Sequence, residues 1–310
     1  MKRVFLIASC LLMAACAAER EPGDLFGPAE PDILVVDAQL LVDRPLPDLL
    51  VYETVAPGVY YTRDQAAVTD AEVEIMQGTH VYRYQADPDS LGRYLPPDDA
   101  PLVLPETEYR LTVRSQGREA RAETQTPPRL RLLDWALLDE KTLEEKRQLR
   151  MFSEGEDVVF SAPENQIVYL DGLLEARFNP LDVPAYQAGV FSLDLDSERV
   201  LNVDWLEEED YDDFVERQVS SPPYDAPDGK LRLPWFAVYF AGRHLIRIYA
   251  LDRNWFDFAR SSPEMQQEQG GFGGLAGENF ERPLFRVEGG IGLFGSAAVD
   301  SLGFVVLPRE

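Results

Sequence analysis

From Ile33 onward, apolar and polar positions alternate with a period of two, the signature of strands with one buried face. Leu34, Val36, Ala38, Leu40 and Val42 share one face, against Asp37, Gln39 and Asp43 on the other. Ala71, Val73 and Ile75 alternate with Glu72 and Glu74. Tyr109, Leu111 and Val113 alternate with Arg110, Thr112 and Arg114. A turn at Ser115–Gly117 leads into Ala120, Ala122 and Thr124, set against Arg121 and Glu123. Pro57-Gly58, Asp87-Pro88-Asp89 and 96–99 punctuate these runs. Short alternating strands with frequent turns predict an antiparallel β-sandwich over 33–127, ending near Pro127-Pro128.

The pattern over 128–310 predicts a second β-rich domain with short helical insertions. Its strand candidates are 129–137, 157–161, 166–170, 173–179, 188–195, 235–240, 243–251 and 302–307. The run Trp235–Phe240 is apolar on both faces and reads as a buried central strand. Helices are expected over 139–150, over 203–217, and from Asn254 to Arg260. The last of these starts behind a capping Asp252 and stops at Ser261-Ser262-Pro263. The fold class is mainly β, and no fixed-period repeat is visible.

The N-terminus has a different grammar. Lys2 and Arg3 precede twelve uncharged residues, Val4–Ala15. That is shorter than the roughly 20 residues a spanning helix needs, and it fits a signal-peptide core over 1–15. It ends Leu12-Met13-Ala14-Ala15-Cys16, which resembles a bacterial lipobox with Cys16 as the acylated residue. Cys10 leaves with the leader, so Cys16 is the sole cysteine of the mature chain and no internal disulfide forms. Ala17 after the cysteine points to the outer membrane. Residues 16–32, small, acidic and Pro-rich, form a flexible tether.

The chain carries 55 acids against 29 bases, a formal charge of −26. Such a chain lacks the positive field that nucleic-acid binding requires. Four of the bases are Lys, the rest Arg, and with so large an acid excess this balance suits work in high salt. His80 and His244 sit in no metal or triad spacing and read as ordinary strand histidines with satisfied partners. Gly290, Gly292 and Gly295 match a dinucleotide-binding spacing, but the residues that follow read as loop and terminal strand rather than helix. The stretch 270–277 reads as a glycine-rich loop. Asp87, Asp89 and Asp98 follow part of a calcium-loop spacing without its flanking helices. Residues 204–213 hold seven acids in ten. Trp205, Glu207, Glu208, Glu209 and Tyr211 are the candidate surface for a partner or ligand. No catalytic, cofactor or metal residues are assigned, and a non-enzymatic role is expected.

Several segments resemble a family of Bacteroidota outer-membrane lipoproteins, domain of unknown function 4249, whose genes sit beside TonB-dependent receptors. They are Val36-Asp37-Ala38, Val68–Ile75, Gly92-Arg93-Tyr94, Leu104-Pro105, Tyr109–Val113 through Thr126-Pro127, Asp252–Arg260, and Phe285–Gly295. The first block is also similar to the transthyretin or carboxypeptidase-regulatory sandwich. The resemblance implies a lipid-anchored accessory role beside such a transporter and carries over no catalytic residue. Two other readings stay open: a stand-alone carbohydrate-binding surface lipoprotein, and a carboxylate-based glycoside hydrolase. An aromatic platform would mark the first, two facing acids in a cleft the second, and an apolar patch near a glycine-rich loop would mark a protein partner.

Overall fold

A computed structural model describes residues 32–56, 60–151, 166–194, 200, 218–233, 238–261 and 283–307. The fold is mainly β. In the first block the strands are β1 (Leu34–Leu41), β2 (Leu49–Glu53), β3 (Glu72–Gln77), β4 (His80–Arg83), β5 (Gln85–Ala86), β6 (Arg93–Leu95), β7 (Glu108–Ser115) and β8 (Arg118–Gln125). A single-turn helix α1 (Arg63–Ala66) follows β2. The second block has β9 (Leu132–Leu138), β10 (Glu145–Leu149), β11 (Gln166–Val168), β12 (Leu173–Phe178), β13 (Ala185–Ser192), β14 (Gln218–Ser220), β15 (Lys230–Leu233) and β16 (Gly242–Leu251). Helix α2 (Arg253–Ser261) and the long strand β17 (Gly290–Leu307) complete it.

Three sheets result. One has the order β14-β13-β16-β17-β1-β2-β6-β5, with β11 also paired to β17. The others are β4-β3-β7-β8 and β10-β9-β12-β15. The inward faces expected from alternation are the buried ones: Leu34, Val36, Val73, Ile75, Tyr109, Leu111 and Val113 meet in the first core. A second core collects Trp135, Leu137, Phe178, Ile246, Ile248 and Phe304.

β17 joins the two cores. Its first half runs parallel to β1, Leu34 opposite Gly290 through Leu41 opposite Ala297. Its second half runs antiparallel to β16, Ala297 opposite Leu251 through Val306 opposite Gly242. Eighteen residues at about 3.3 Å each make a spine of roughly 60 Å. The largest sheet therefore passes across the boundary at 127/128.

Two expectations change. The segment 139–150 is a hairpin arm, not a helix: the Asp139 carboxylate accepts from the Lys141 and Thr142 amides at 2.9 Å, and Glu145–Leu149 pairs back on β9. Its leucines fall on no common face, since Leu143 is exposed and Leu149 buried. The terminal strand starts at Gly290 rather than 302, absorbing the glycine-rich motif. The runs 157–161 and 203–217 lie outside the described residues, as do 235–237 of the strand expected over 235–240. Helix α2 forms as expected, with the Trp255 amide donating to Asp252 Oδ1 at 2.8 Å.

Candidate functional site

The outer face of the β4-β3-β7-β8 sheet carries a ladder of side chains that the strand registers align in rows. Val81, Met76, Arg110 and Glu123 form one row, and Arg83, Glu74, Thr112 and Arg121 the next. Arg114 stands opposite Glu119 in a third. The charges pair across strands, Arg83 with Glu74 at 2.9 Å, Arg114 with Glu119 at 2.5 Å and Arg110 with Glu123 at 3.8 Å, and within β7, Arg110 with Glu108 at 2.6 Å. Such exposed pairs contribute little stability, about 0–1 kcal/mol each, but they set a fixed pattern of charge over a half-apolar floor.

A strap, 285–288, forms the opposite wall. Glu288 exchanges both backbone hydrogen bonds with Arg121, at 2.8 and 2.7 Å. Arg286 reaches Asp257 on α2, its Nε donating at 2.8 Å. Asp257 is buried, and Arg253 and Arg260 also contact it, at 3.1 and 3.0 Å. Burial would raise its carboxyl, but hydrogen bonds from Arg286 and Arg260 overcome this and hold it below the usual carboxylate range. Three guanidinium groups on one buried carboxylate fix the strap to the helix. Floor and strap enclose an open groove of about 700 Å³. A second hollow of about 390 Å³ shares Glu123 and Arg286 with it and continues it toward Asn254.

The edge of β8 beneath the groove is covered. The Asn254 amide donates to the Glu123 carbonyl at 2.6 Å, and Ser296 Oγ to the Gln125 carbonyl at 3.2 Å. Behind them, Thr124 Oγ1 donates to Asp252 Oδ2 at 2.5 Å and lies 2.8 Å from Ser296 Oγ. Burial raises the Asp252 carboxyl, partly offset by the bonds from Thr124 and the Trp255 amide. Both its oxygens are thus committed to joining α2, β8 and β17. Sheet edges left open invite unwanted pairing; here polar contacts between the two blocks close this one.

The groove combines paired charges with an apolar floor. Glu74, Glu108, Glu119 and Glu123 each lie against an arginine, which is unlike a free acid facing a second acid across a cleft. Its apolar lining includes Met76, Val81 and Phe285, and Leu284, next to Phe285 in the chain, is exposed. This apolar patch follows directly on the segment that contains the glycine-rich stretch 270–277.

The residues expected to form a partner surface, Trp205, Glu207, Glu208, Glu209 and Tyr211, lie outside the described residues, as do Cys16 and 270–277. Asp87 caps its own turn, accepting from the Asp89 amide at 2.9 Å, and pairs with Arg93 at 3.3 Å. Among the described residues, no three His, Cys, Asp or Glu side chains gather as a metal-ion group. The Gly290 motif lies in β17 with no helix after it. Gly292, at φ +112°, lets the strand approach β1 so closely that a Cβ would stand 2.0 Å from the Val36 carbonyl oxygen. His80 is exposed at the start of β4. His244 departs from the expectation of a satisfied histidine. It is buried and stacked on Phe304 with ring centres 5.2 Å apart. Its Nδ1 lies 3.0 Å from the Gly242 carbonyl, and its Nε2 has no partner among the described residues. Set against known protein families and curated protein sequences, the chain matches none.

Proposed function

We propose that this chain is a non-enzymatic, lipid-anchored accessory protein of the outer membrane, and that it docks a protein partner in the groove between the β4-β3-β7-β8 sheet and the strap. The partner class is a TonB-dependent receptor or its cargo. The lipobox at Cys16 and the family resemblance support the location. No described helix is long and apolar enough to cross a membrane. One observation carries the docking role: Met76, Val81 and Phe285 stand among cross-strand Arg–Glu pairs on a fixed wall and floor. An apolar centre with a charged rim is the anatomy of a protein interface. Arg110, Arg121 and Arg286 add a side chain that is enriched at interface hot spots.

The test is recovery of a receptor from detergent-solubilised envelopes by the tagged mature protein. Val81→Glu with Phe285→Ala should reduce recovery about tenfold, the effect of losing roughly 1.4 kcal/mol, with circular dichroism unchanged. Full recovery by that variant discards the groove. Loss on changing Glu207, Glu208 and Glu209 to Gln instead moves the interface to the acidic run. Recovery of no receptor by the parent protein ends the accessory reading.

A further inference from the structure

We propose that the first sandwich rests on a zwitterionic membrane surface through the end at which the tether enters, with Tyr60, Tyr61 and Leu91 as its apolar contacts. This rests on the lipid-anchor reading above. The entry point is fixed: the Asp32 amide donates to the Thr54 carbonyl at 2.9 Å, and the Ile33 amide to Thr54 Oγ1 at 3.0 Å. The chain therefore enters where β2 ends. Cys16 is sixteen positions earlier, and an extended chain of that length reaches at most about 55 Å. β17 starts at this same end, Gly290 opposite Leu34, and leads away from it. The first sandwich is thus the half nearest the anchor.

The connection out of β2 leads through Tyr60, Tyr61 and the capping Thr62 into α1. On it Tyr60 is 85% exposed, more than any other large apolar side chain described, and Tyr61 is 57% exposed. Leu91, 50% exposed, sits on the neighbouring turn. That turn is held to β2 by the Val51 amide donating to the Gly92 carbonyl at 2.7 Å. Gly92 packs so closely on β2 that a Cβ would lie 2.9 Å from the Tyr52 ring. Tyrosine, apolar in its ring and polar at its tip, is enriched where bilayer meets water.

The charges nearby select the surface. Arg118 is engaged by Glu53 at 2.9 Å and by the Asp32 carbonyl. Arg63 stands over the Tyr52 ring at 5.4 Å and donates to its hydroxyl. Exposed Asp64 and Asp89 would be repelled by anionic lipid, which leaves neutral headgroups as the fit. Two tyrosines and a leucine bind weakly in isolation. On a tether the local concentration is of the order of millimolar, so weak contacts suffice to set orientation.

The experiment uses the full lipidated chain in phosphatidylcholine vesicles and the Cys16→Ala chain free in solution. Both are iodinated by a soluble peroxidase and read by peptide mass spectrometry, with Tyr249 in the second sandwich as internal reference. Labelling of Tyr60 and Tyr61 should be roughly tenfold slower on vesicles, as expected of a docked state favoured about ten to one. Equal labelling, with acyl chains present on Cys16, overturns the docking while leaving the anchor intact. Absence of acyl chains overturns the anchor, and this proposal with it. In the Tyr60→Ser, Tyr61→Ser chain, the hydrogen-exchange protection that vesicles give to 88–92 should disappear; persistence of that protection removes the tyrosines from the contact.

Discussion

The two sandwiches share a strand and differ in how they treat buried polar atoms. In the first, the large buried side chains that carry a hydroxyl are tied to nearby loops. Tyr94 donates to the Val68 carbonyl at 3.0 Å and accepts from the Ala71 amide at 2.8 Å. Tyr109 accepts from the Leu104 amide at 2.9 Å, and Tyr84 donates to the Pro47 carbonyl at 3.0 Å. In the second, Trp135 Nε1, Ser192 Oγ, Tyr224 Oη and His244 Nε2 are buried with no partner among the described residues. The second also buries Glu175 between Arg177 and Arg232, at 2.9 and 3.1 Å. An unpartnered buried polar group costs about 1–3 kcal/mol. The first core uses its polar atoms to fix loops; the second does so at Tyr186, whose hydroxyl accepts from the Leu181 amide at 2.7 Å, and also holds buried polar atoms with no partner among the described residues.

The largest effect should come from removing what the halves share. Gly292→Ala places a Cβ against the Val36 carbonyl oxygen and demands a positive φ of an ordinary residue. We expect a loss of ~4 kcal/mol or more, or failure to fold. Denaturant melts should show both halves failing together, whereas Trp135→Ala, confined to one core, should weaken the second sandwich first. Local melting near β1 alone in the Gly292 variant would break the idea of a common spine.

Acid sharpens the contrast next. Burial pushes the His244 imidazole down to about 4 from its usual 6.5, only partly opposed by the Gly242 carbonyl and Asp194. The unfolded chain takes up the proton first, so stability falls as pH drops from about 6.5 to about 4. The full loss is about 3 kcal/mol, at 1.36 kcal/mol per unit. His244→Phe should flatten that slope. Asp257 and Glu175, both held below the carboxylate range, lose their contribution only at lower pH, so the two windows separate. An unchanged slope in His244→Phe would locate the acid sensitivity elsewhere.

Salt should act least and on both halves alike. Loss of Lys2 and Arg3 with the proposed leader would take the charge from −26 to −28. Raising NaCl from low to molar levels shortens the screening length to about 3 Å. Relief of about 1 kcal/mol of repulsion would raise the melting temperature by roughly 2–4 °C. A flat or falling curve removes the high-salt argument.

Much of the first sandwich was legible because its inner faces alternate cleanly with charge: Val73, Leu111 and Ala120 are where period two puts them. The groove was not legible. Its rows exist only once Met76, Arg110 and Glu123 are brought into register, and alternation tells which face a residue takes but not which residue stands opposite. β17 was half hidden for a related reason. Gly290, Gly292 and Gly295 have no side chains with which to show a period, so a strand's first half resembles a loop. At 139–150, charge and scattered leucines imitate a helix; the Asp139 turn that decides the matter uses one carboxylate and two amides. The exposure of Tyr60 and Tyr61 left no mark on the pattern, since a tyrosine in a loop reads the same facing in or out.

The order in which strands are delivered gives β17 a kinetic consequence. Leu34 and its partner Gly290 are 256 positions apart, and β1 has no neighbour on that side until nearly the whole chain is available. Contacts so distant in sequence close slowly. An amino-terminal half that emerges first therefore waits, incomplete, for a strand that emerges last. If the chain is exported before folding, as proposed, it gains from this delay, because the amino-terminal half cannot lock before the remainder has crossed.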